Sequence, residues 1–472
     1  MSTRITETEP PISIAIIGSG IIGSVLALAL ATRSSSLPLP LRIKVYEQSL
    51  THRTLGAGIA FTANARNCLS LLDPRLEDCV TAIASLNGED PKHPNNNMQF
   101  VNGYTHDPVL HQNPGEDLVH KKVYRLFAGE RGFEGCHRAG FLEGVLRILP
   151  QGVLEGGRRV IGLHSREGDG NGKGNGKGNG NGKVKILFED GNTEEADIVI
   201  GCDGIKSRIR QHLSPPPSPC AHPHYTHKVA YRGLVPMPLA ISTLGPRLAL
   251  NQHMYGGPSA HILTFPVAKQ TLLNIVAFVH DPDDWPIDVP MTQPADKEDV
   301  KRAFSSWGPT VKAIVQLLTD SEGLDKWGVF DMYDHPVNTY SKGRVCLAGD
   351  AAHASSPHHG AGAGIGVEDA LALCVVLEKA VREISEGGGR GEEILEKALK
   401  VYSDVRYERS QWLVKSSREV CETYEWGNPE AGRDLDKGFE DVKERSHKIW
   451  YFDIQGMIEE LERGVRCSMK QI

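Results

Sequence analysis

The sequence predicts an α/β fold, and three stretches carry that prediction. Near the start, ISIAIIGSGIIGSVLALALA joins a β-branched apolar run, Ile12 to Ile17, to a glycine turn and an apolar helix. A run of that kind is what a fully buried parallel strand requires. Far downstream, GRVCLAGDAAHASSPHHGAGAGIGVEDALAL, Gly343 to Leu373, reads as strand, Gly-Asp turn, glycine-rich loop and helix. Between the two, residues 229–280 alternate as β-strands, LLNIVAFVH among them, and suggest a separate sheet domain.

With 472 residues, 40% hydrophobic and 24% charged, the chain has the composition of a globular protein with room for two or three domains. A formal net charge of −7 and the lack of any basic arm argue against a nucleic-acid partner. The nine cysteines (68, 79, 136, 202, 220, 346, 374, 421 and 467) are scattered, odd in number and form no C-x-x-C pair. Reduced thiols in a cytoplasmic protein fit them better than a disulfide frame or zinc site. MSTRITETEPP lacks the apolar core of a signal peptide, and Ile12 to Ala31 is broken by Ser13, Gly18, Ser19, Gly20, Gly23 and Ser24. No membrane partner is expected.

In chain order, Gly18-Ser19-Gly20-Ile21-Ile22-Gly23 follows the first strand directly. The second strand, Leu41 to Tyr46, ends in Glu47, 24 positions beyond Gly23. Strand, glycines, helix, strand and acid in this order make a dinucleotide fingerprint. Gly18, Gly20 and Gly23 allow a tight turn and a close pyrophosphate, while Glu47 accepts from ribose hydroxyls. An acid at this point favours FAD or NAD over NADP; a solvated strand end is the alternative.

TLGAGIAFTANARNCLSLLD follows, with Gly56 and Gly58 two apart; Gly58 joins the cofactor-binding candidates. Residues 91–114, rich in Asn, His and Pro, read as loop or irregular strand. CHRAGFLEGVLRIL is helical, with Arg138 at its start, where a guanidinium reaches a phosphate or is simply solvated. Residues 167–183 are low-complexity Gly/Asn/Lys and read as a disordered hairpin tip without function. ADIVIGCDGIKSRIRQHL then gives a strand, Asp203-Gly204, and a basic helix start with Lys206, Arg208 and Arg210. A helical stretch, Lys297 to Leu318, precedes Gly343 to Leu373, and Glu392 to Val465 is mostly helical. In the glycine loop, backbone N–H groups and a helix N-terminus offer a cradle to an anion. Asp350 suits a sugar or ribityl hydroxyl.

GSGIIG with Glu47, CDGIKSRIR, and GRVCLAGDAAHASSPHHGAGAGIGVEDA in this order resemble the FAD-dependent aromatic hydroxylases, the single-component flavoprotein monooxygenases typified by p-hydroxybenzoate and salicylate hydroxylases. The resemblance runs from Ile12 to about Asp453. It implies a Rossmann-like FAD-binding domain interleaved with a β-sheet substrate domain and followed by a helical C-terminal part. The corresponding boundaries are 12–220 and 336–390 for the FAD-binding parts, 221–335 for the substrate domain and 391–472 for the helical region. By the same resemblance, Gly18, Gly20, Gly23 and Glu47 hold the ADP half of FAD, and Arg138 contacts FAD. Asp203 and Gly204 form the motif shared between FAD and the nicotinamide donor, and Asp350 binds the ribityl chain. Pro357, Gly360, Ala361, Gly362, Ala363 and Gly364 lie against the isoalloxazine. Pro-His-His-Gly stands where the family usually has Pro-His-Gln-Gly, with His359 in place of Gln. Together with Arg208 and Tyr231-Arg232-Gly233, it looks similar to fungal dearomatising hydroxylases of polyketide phenols.

The chemistry so implied is reduction of FAD by NADPH or NADH, addition of O2, and oxygen transfer from a flavin hydroperoxide to an electron-rich ring. A phenol attacks best as phenolate, which calls for a cation or donor and a base. Arg208 and Tyr231 are the candidates for phenolate recognition. His227 is the candidate base, since 227, 229 and 231 share one face of a strand. A surface ion pair for Arg208, a core position for Tyr231 and an exposed turn for His227 are the competing readings. No metal role is expected for His353, His358 or His359. The expected partners are a small phenolic substrate and O2, with the protein a monomer or homodimer. A salicylate-type decarboxylating hydroxylase, a flavin oxidase or dehydrogenase, and a non-catalytic carrier like the GDP-dissociation inhibitors are the alternatives.

Overall fold

The computed structural model describes residues 10–50, 58–105, 115–130, 132–164, 182–286, 289–387 and 390–470. The chain opens with β1 (Ile12–Ile17), α1 (Ile21–Ser34) and β2 (Leu41–Glu47), followed by β3 (Gly58–Ala60), α2 (Ala63–Leu72) and α3 (Pro74–Ile83). Next come β4 (Asn97–Asn102), β5 (Val123–Phe127), β6 (Gly135–His137), α4 (Arg138–Ile148) and β7 (Leu154–Gly156). β8 (Val160–His164), β9 (Val184–Phe188), β10 (Thr193–Ala196), β11 (Ile198–Gly201) and α5 (Arg208–Leu213) complete the first half. The second half begins with β12 (His224–Pro236), α6 (Met237–Leu244), α7 (Pro246–Ala249), β13 (His253–Gly257), β14 (Ala260–Val267) and β15 (Leu272–His280). β16 (Thr292–Pro294), α8 (Lys297–Ala303), α9 (Pro309–Asp320), β17 (Asp325–Asp331), β18 (Ser341–Lys342), β19 (Val345–Leu347) and α10 (Asp350–His353) follow. Four helices close the chain: α11 (Gly362–Ser385), α12 (Gly391–Tyr424), α13 (Leu435–Trp450) and α14 (Ile454–Met469).

A six-stranded sheet, β18-β19-β11-β1-β2-β7, is parallel from β19 to β7. β1 is buried along its whole length because helices cover both faces of such a sheet. Ile17 pairs with Gly201, and Gly201 with Leu347, so β1, β11 and β19 finish side by side. Each is followed at once by a glycine turn: Gly18 to Gly23, Asp203-Gly204, and Gly349-Asp350. Three motifs far apart in sequence thus meet at one sheet edge, the carboxyl end, where open α/β sheets bind ligands.

The second layer is an eight-stranded sheet, β16-β17-β12-β15-β14-β13-β4-β5. It draws β4 and β5 from the stretch expected to belong to the FAD-binding part, so 12–220 does not map onto one sheet. One face carries Val229, Tyr231, Ile262, Ile275 and Ala277 into a core with Trp307, Ile314 and Leu318. The other carries Lys228, Ala230 and Arg232 beside His261, Leu263, Asn274, Val276 and Phe278, as the antiparallel register requires. A separate β8-β9-β10 sheet packs into the core of the six-stranded sheet, Phe188 against Tyr46, and of the low-complexity stretch 167–183 all but Gly182 and Lys183 lies outside the described residues. Among the described residues no helix is long and apolar enough to cross a membrane, and all nine cysteines are unpaired.

Candidate active site

At the first turn the three glycines have different tasks. Gly18 has φ +98°, and a Cβ on it would sit 2.6 Å from the carbonyl oxygen of Cys202. A Cβ on Gly23 would overlap the carbonyl oxygen of Gly18. Both are dictated by the turn and its neighbour strand. Gly20 is the exception: nothing lies within 4 Å of its Cβ direction, and it begins α1 without a side-chain cap. An uncapped helix start facing open space is the arrangement that receives a phosphate. Glu47 Oε2 accepts from Ser19 N at 2.9 Å and Ser19 Oγ at 3.0 Å, so the carboxylate is fixed at the same turn.

The second and third turns are tied together by Arg210. Its Nη1 donates to the carbonyls of Asp350 at 3.3 Å and Ala351 at 3.1 Å, its Nε to Ala221, and its Nη2 to Ile205. Of the three basic residues at 206, 208 and 210, only Arg210 is buried, and it works as a staple. Asp203 is occupied locally, accepting from Ser207 Oγ at 2.5 Å, Arg208 N at 2.6 Å and Ile209 N at 3.2 Å. Asp350 is different. It opens into a cleft, deep enough for burial to push its pKa up against the pull of His353, Arg138 and Arg210. Arg138 has no hydrogen-bond or ion-pair partner among the described residues, and its charge is felt at Asp350.

The loop beyond is held from behind by Asp369. Its Oδ2 accepts from Gly349 N at 2.9 Å and bonds His353 Nε2 at 2.5 Å, while Oδ1 accepts from Arg406 Nε at 2.9 Å. Arg406 is fully buried and also pairs with Glu368 at 2.9 Å. Loop glycines again divide. Gly360 has φ +63° and open space around it, whereas a Cβ on Gly364 would press on Ala65 at 3.2 Å. One on Gly366 would meet Ile22 at 2.6 Å. Gly364, expected against the cofactor ring, therefore lets α11 pack on α2. α11, like α1, starts without a side-chain cap.

The facing wall is the polar-bearing side of the large sheet. The ring of Phe278 lies 4.8 Å from that of His358, and a Cβ on Gly58 would strike Phe265 at 2.7 Å. Here the strand parity corrects two of the expected residues. Tyr231 is 4% exposed and points to the opposite face, into the core beneath the helices. His227 has φ +55° at a bulge where pairing slips between Tyr225 and Val229, so the alternation 227, 229, 231 is broken. It stands half-buried, 3.7 Å from exposed Asp284. Arg208 is exposed at the start of α5 and bonds Gln211 at 2.9 Å. These three are not brought together.

Arg232 takes their place. It lies on the wall with Ala230 and Val276, its guanidinium 4.9 Å from the Trp327 ring centroid. It has no hydrogen bond or ion pair among the described residues, and burial lowers its pKa, with Asp325 pulling the other way. A partly buried guanidinium without an anion is a site for one. Period-two counting from Ala230 in place of Val229 finds it.

The three loop histidines separate. His353 is bound to Asp369, His359 Nε2 lies 2.9 Å from Ser416 Oγ, and His358 sits in a buried group with His261 and Cys421. Two uncapped helix starts, the open space at Gly20 and Gly360, the cleft-facing Asp350 and the unpartnered Arg138 fit an extended dinucleotide such as FAD.

Comparison with known proteins agrees. Residues 180–415 match a family model described as an FAD binding domain. The chain is 43% identical to the FAD-dependent monooxygenase pigN of Monascus ruber, over 99% of both chains. It is 40% identical to the salicylate hydroxylase asL1 of Sarocladium schorii, over 96% of this chain and 90% of that one. Among solved structures it is similar to a salicylate hydroxylase substrate complex, with 30% identity, a TM-score of 0.75, and 96% of this chain and 98% of the other covered.

Proposed function

The chain belongs to the FAD-dependent monooxygenases of the salicylate hydroxylase family, and from that premise we propose that it uses NADPH or NADH and O2 to hydroxylate a phenolic aromatic substrate. The substrate class we favour is a polyketide-type phenol of secondary metabolism, oxidised at an ortho or dearomatising position. FAD, when bound, supplies electron transfer from the nicotinamide and the activation of oxygen.

The observation that carries this reading is Arg232. A phenol bound between the sheet wall and the loop at Pro357 to Gly360 places its oxygen within reach of one unpaired guanidinium. That charge favours the phenolate, the form that attacks an electrophilic oxygen. The indole of Trp327 supports the guanidinium from behind, and cation–π contact of this kind keeps an arginine planar and aimed. Val276, Phe278 and Ala230 line the wall around it and exclude water, which strengthens every charge interaction there.

Asp350 and Arg138 hold the cofactor's polar chain from two sides, and Gly20 admits its phosphates. We assign the protein to the cytoplasm on its reduced cysteines. A carboxylate ortho to the phenol would suit Arg232 equally, so a decarboxylating hydroxylase is the second reading, supported by the likeness to salicylate hydroxylases.

Purified protein is expected to be yellow and to oxidise NADPH or NADH faster when a phenol is added. Mass spectrometry of products from substituted resorcinols and salicylates separates the readings. Gain of one oxygen atom supports the first; gain of oxygen with loss of CO2 supports the second. Stimulated NAD(P)H oxidation with no oxygenated product from any phenol would refute both.

A further inference from the structure

Three metal-ligating side chains converge in the interior, and the chemistry above makes no use of them. His261 of β14, His358 of the loop beside Pro357 and Cys421 near the end of α12 are 0%, 5% and 1% exposed. A ring nitrogen of each histidine and the Cys421 sulfur lie within 4.8 Å of one another. Its members come from three separate elements, so no spacing in the sequence announces the set. That is why His358 carries no metal signature at the level of sequence.

Two of the three donors are idle. His261 Nε2 and His358 Nδ1 are buried and have no hydrogen-bond partner among the described residues. A buried polar atom ordinarily has one. His261 Nδ1 lies 3.0 Å from Glu425 Oε1, and a carboxylate at that distance calls for a proton on Nδ1. A bare lone pair is left on Nε2, with no donor to meet it. A carboxylate behind a histidine is the arrangement that orients a metal ligand and raises its basicity. Phe278 stacks on the His261 ring at 4.6 Å and lies 4.8 Å from that of His358, which fixes both rings and keeps water out.

Charge points the same way. Glu425 Oε2 accepts from Lys228 Nζ, and Glu422 lies 3.4 Å from the same ammonium, so two acids share one lysine. The Cys421 thiol donates to Glu425 at 3.4 Å. Exchanging that thiol proton for a divalent ion adds one positive charge, which balances the surplus acid. Imidazole nitrogen and thiolate sulfur select zinc over the oxygen-seeking Mg²⁺ and Ca²⁺.

We propose that His261, His358 and Cys421 bind one Zn²⁺, with water in the fourth position, and that the ion clamps the loop at Pro357 to Gly360 onto β14 and α12. Zinc holds nitrogen at about 2.0 Å and sulfur at about 2.3 Å, so neighbouring ligand atoms stand about 3.5 Å apart. In the loaded site the Cys421 sulfur turns from Glu425 to the ion and the three ligand atoms draw together. The thiol proton leaves to solvent, one sulfur and two nitrogens donate lone pairs to the ion, and nothing is oxidised or reduced. Glu425 is a positioning residue, acting through His261. The site stands independently of the phenol reading, since neither Arg232 nor the three cofactor turns belong to it.

Tag-free, FAD-loaded enzyme from zinc-supplemented culture, dialysed without chelator, is assayed for metal by mass spectrometry. About one zinc per chain is expected, and none in Cys421→Ser or His261→Phe. Chelation should lower the Tm of wild type and leave that of Cys421→Ser unmoved. Stripped enzyme refilled with Co²⁺ should show ligand-field bands at longer wavelength than the flavin, with a thiolate charge-transfer band that Cys421→Ser lacks. Glu425→Gln should keep that band yet bind zinc about 10–100-fold more weakly in competition with a chelating dye. If the His261 variant does not fold, Cys421→Ser and the cobalt spectrum carry the test. Enzyme that holds no zinc and gives no cobalt band would overturn the site, and its hydroxylation of a phenol would leave the monooxygenase reading standing. Zinc retained by both ligand variants, or copper in its place, would also overturn the site, and a Tm indifferent to chelation would overturn the clamp. Zinc-loaded enzyme that hydroxylates no phenol would sustain the site and sink the phenol reading alone.

Discussion

The carboxylate of Asp369 accepts from the backbone nitrogen of Gly349 at 2.9 Å, so α11 fixes the turn that presents Asp350 to the cofactor cleft. The same carboxylate holds His353 and Arg406, and burial would penalise its charge without them. Asp369→Ala removes the anion facing a fully buried Arg406 and leaves Glu368 as its remaining partner. Stripping one partner from a buried ion pair costs about 3–5 kcal/mol. The variant should unfold at lower urea and retain little FAD, as read from the 450 nm colour per protein.

Asp350→Ala tests the cofactor assignment without that structural burden, because its carboxylate is exposed and carries no hydrogen bond among the described residues. The expected product is a folded, colourless protein. Full yellow colour after purification removes Asp350 from the cofactor site.

The glycines separate packing from binding. Gly20→Ala adds a methyl where nothing lies within 4 Å, at a φ of −65° that alanine adopts freely. The apoprotein should keep its Tm while FAD affinity falls by at least about tenfold, roughly 1.4 kcal/mol. Gly366→Ala drives a methyl to 2.6 Å from Ile22 and should lower Tm whether or not FAD is present. Calorimetry with and without FAD distinguishes the two.

Acid stability carries a signature from His253. Burial lowers its pKa to about 4, so below pH 6.5 the unfolded chain binds a proton that the folded chain refuses. Stability should then be greatest above pH 6.5 and fall by about 1.4 kcal/mol per pH unit for this histidine as the pH drops toward 4. His253→Phe should flatten part of that limb in urea titrations at pH 7, 6 and 5. A slope unchanged from wild type would place the acid sensitivity elsewhere.

Much of this site was legible in the sequence because its parts are local. Gly18 to Gly23, Asp203-Gly204 and Gly349-Asp350 each follow a strand directly, and parallel pairing of β1, β11 and β19 aligns them. What escaped depends on long-range packing. Arg210 and Arg208 look alike in CDGIKSRIR, and only the fold tells the buried staple from the exposed neighbour. Asp369 lies in an ordinary helix until Gly349 and Arg406 are placed beside it. On β12 the bulge at His227 breaks a period-two count made through it, so Tyr231 goes to the core and Arg232 to the site. β4 joins β13 across some 150 residues, and no local pattern announces that pairing.

Arg208 provides the internal control for the substrate site. It is exposed and bonded to Gln211, so Arg208→Ala should keep FAD and turnover within about twofold of wild type. Loss of product in that variant would return Arg208 to the site.

The most direct measurement is product formed per NAD(P)H oxidised, compared between wild type and Arg232→Ala on a phenol that wild type hydroxylates. The variant should bind FAD as wild type does, yet lose hydroxylation by about 100-fold or more, as expected when a charge-assisted contact to the reacting oxygen is removed. Arg232→Lys should recover a part of it. An Arg232→Ala enzyme that couples NAD(P)H oxidation to product as well as wild type would contradict the account.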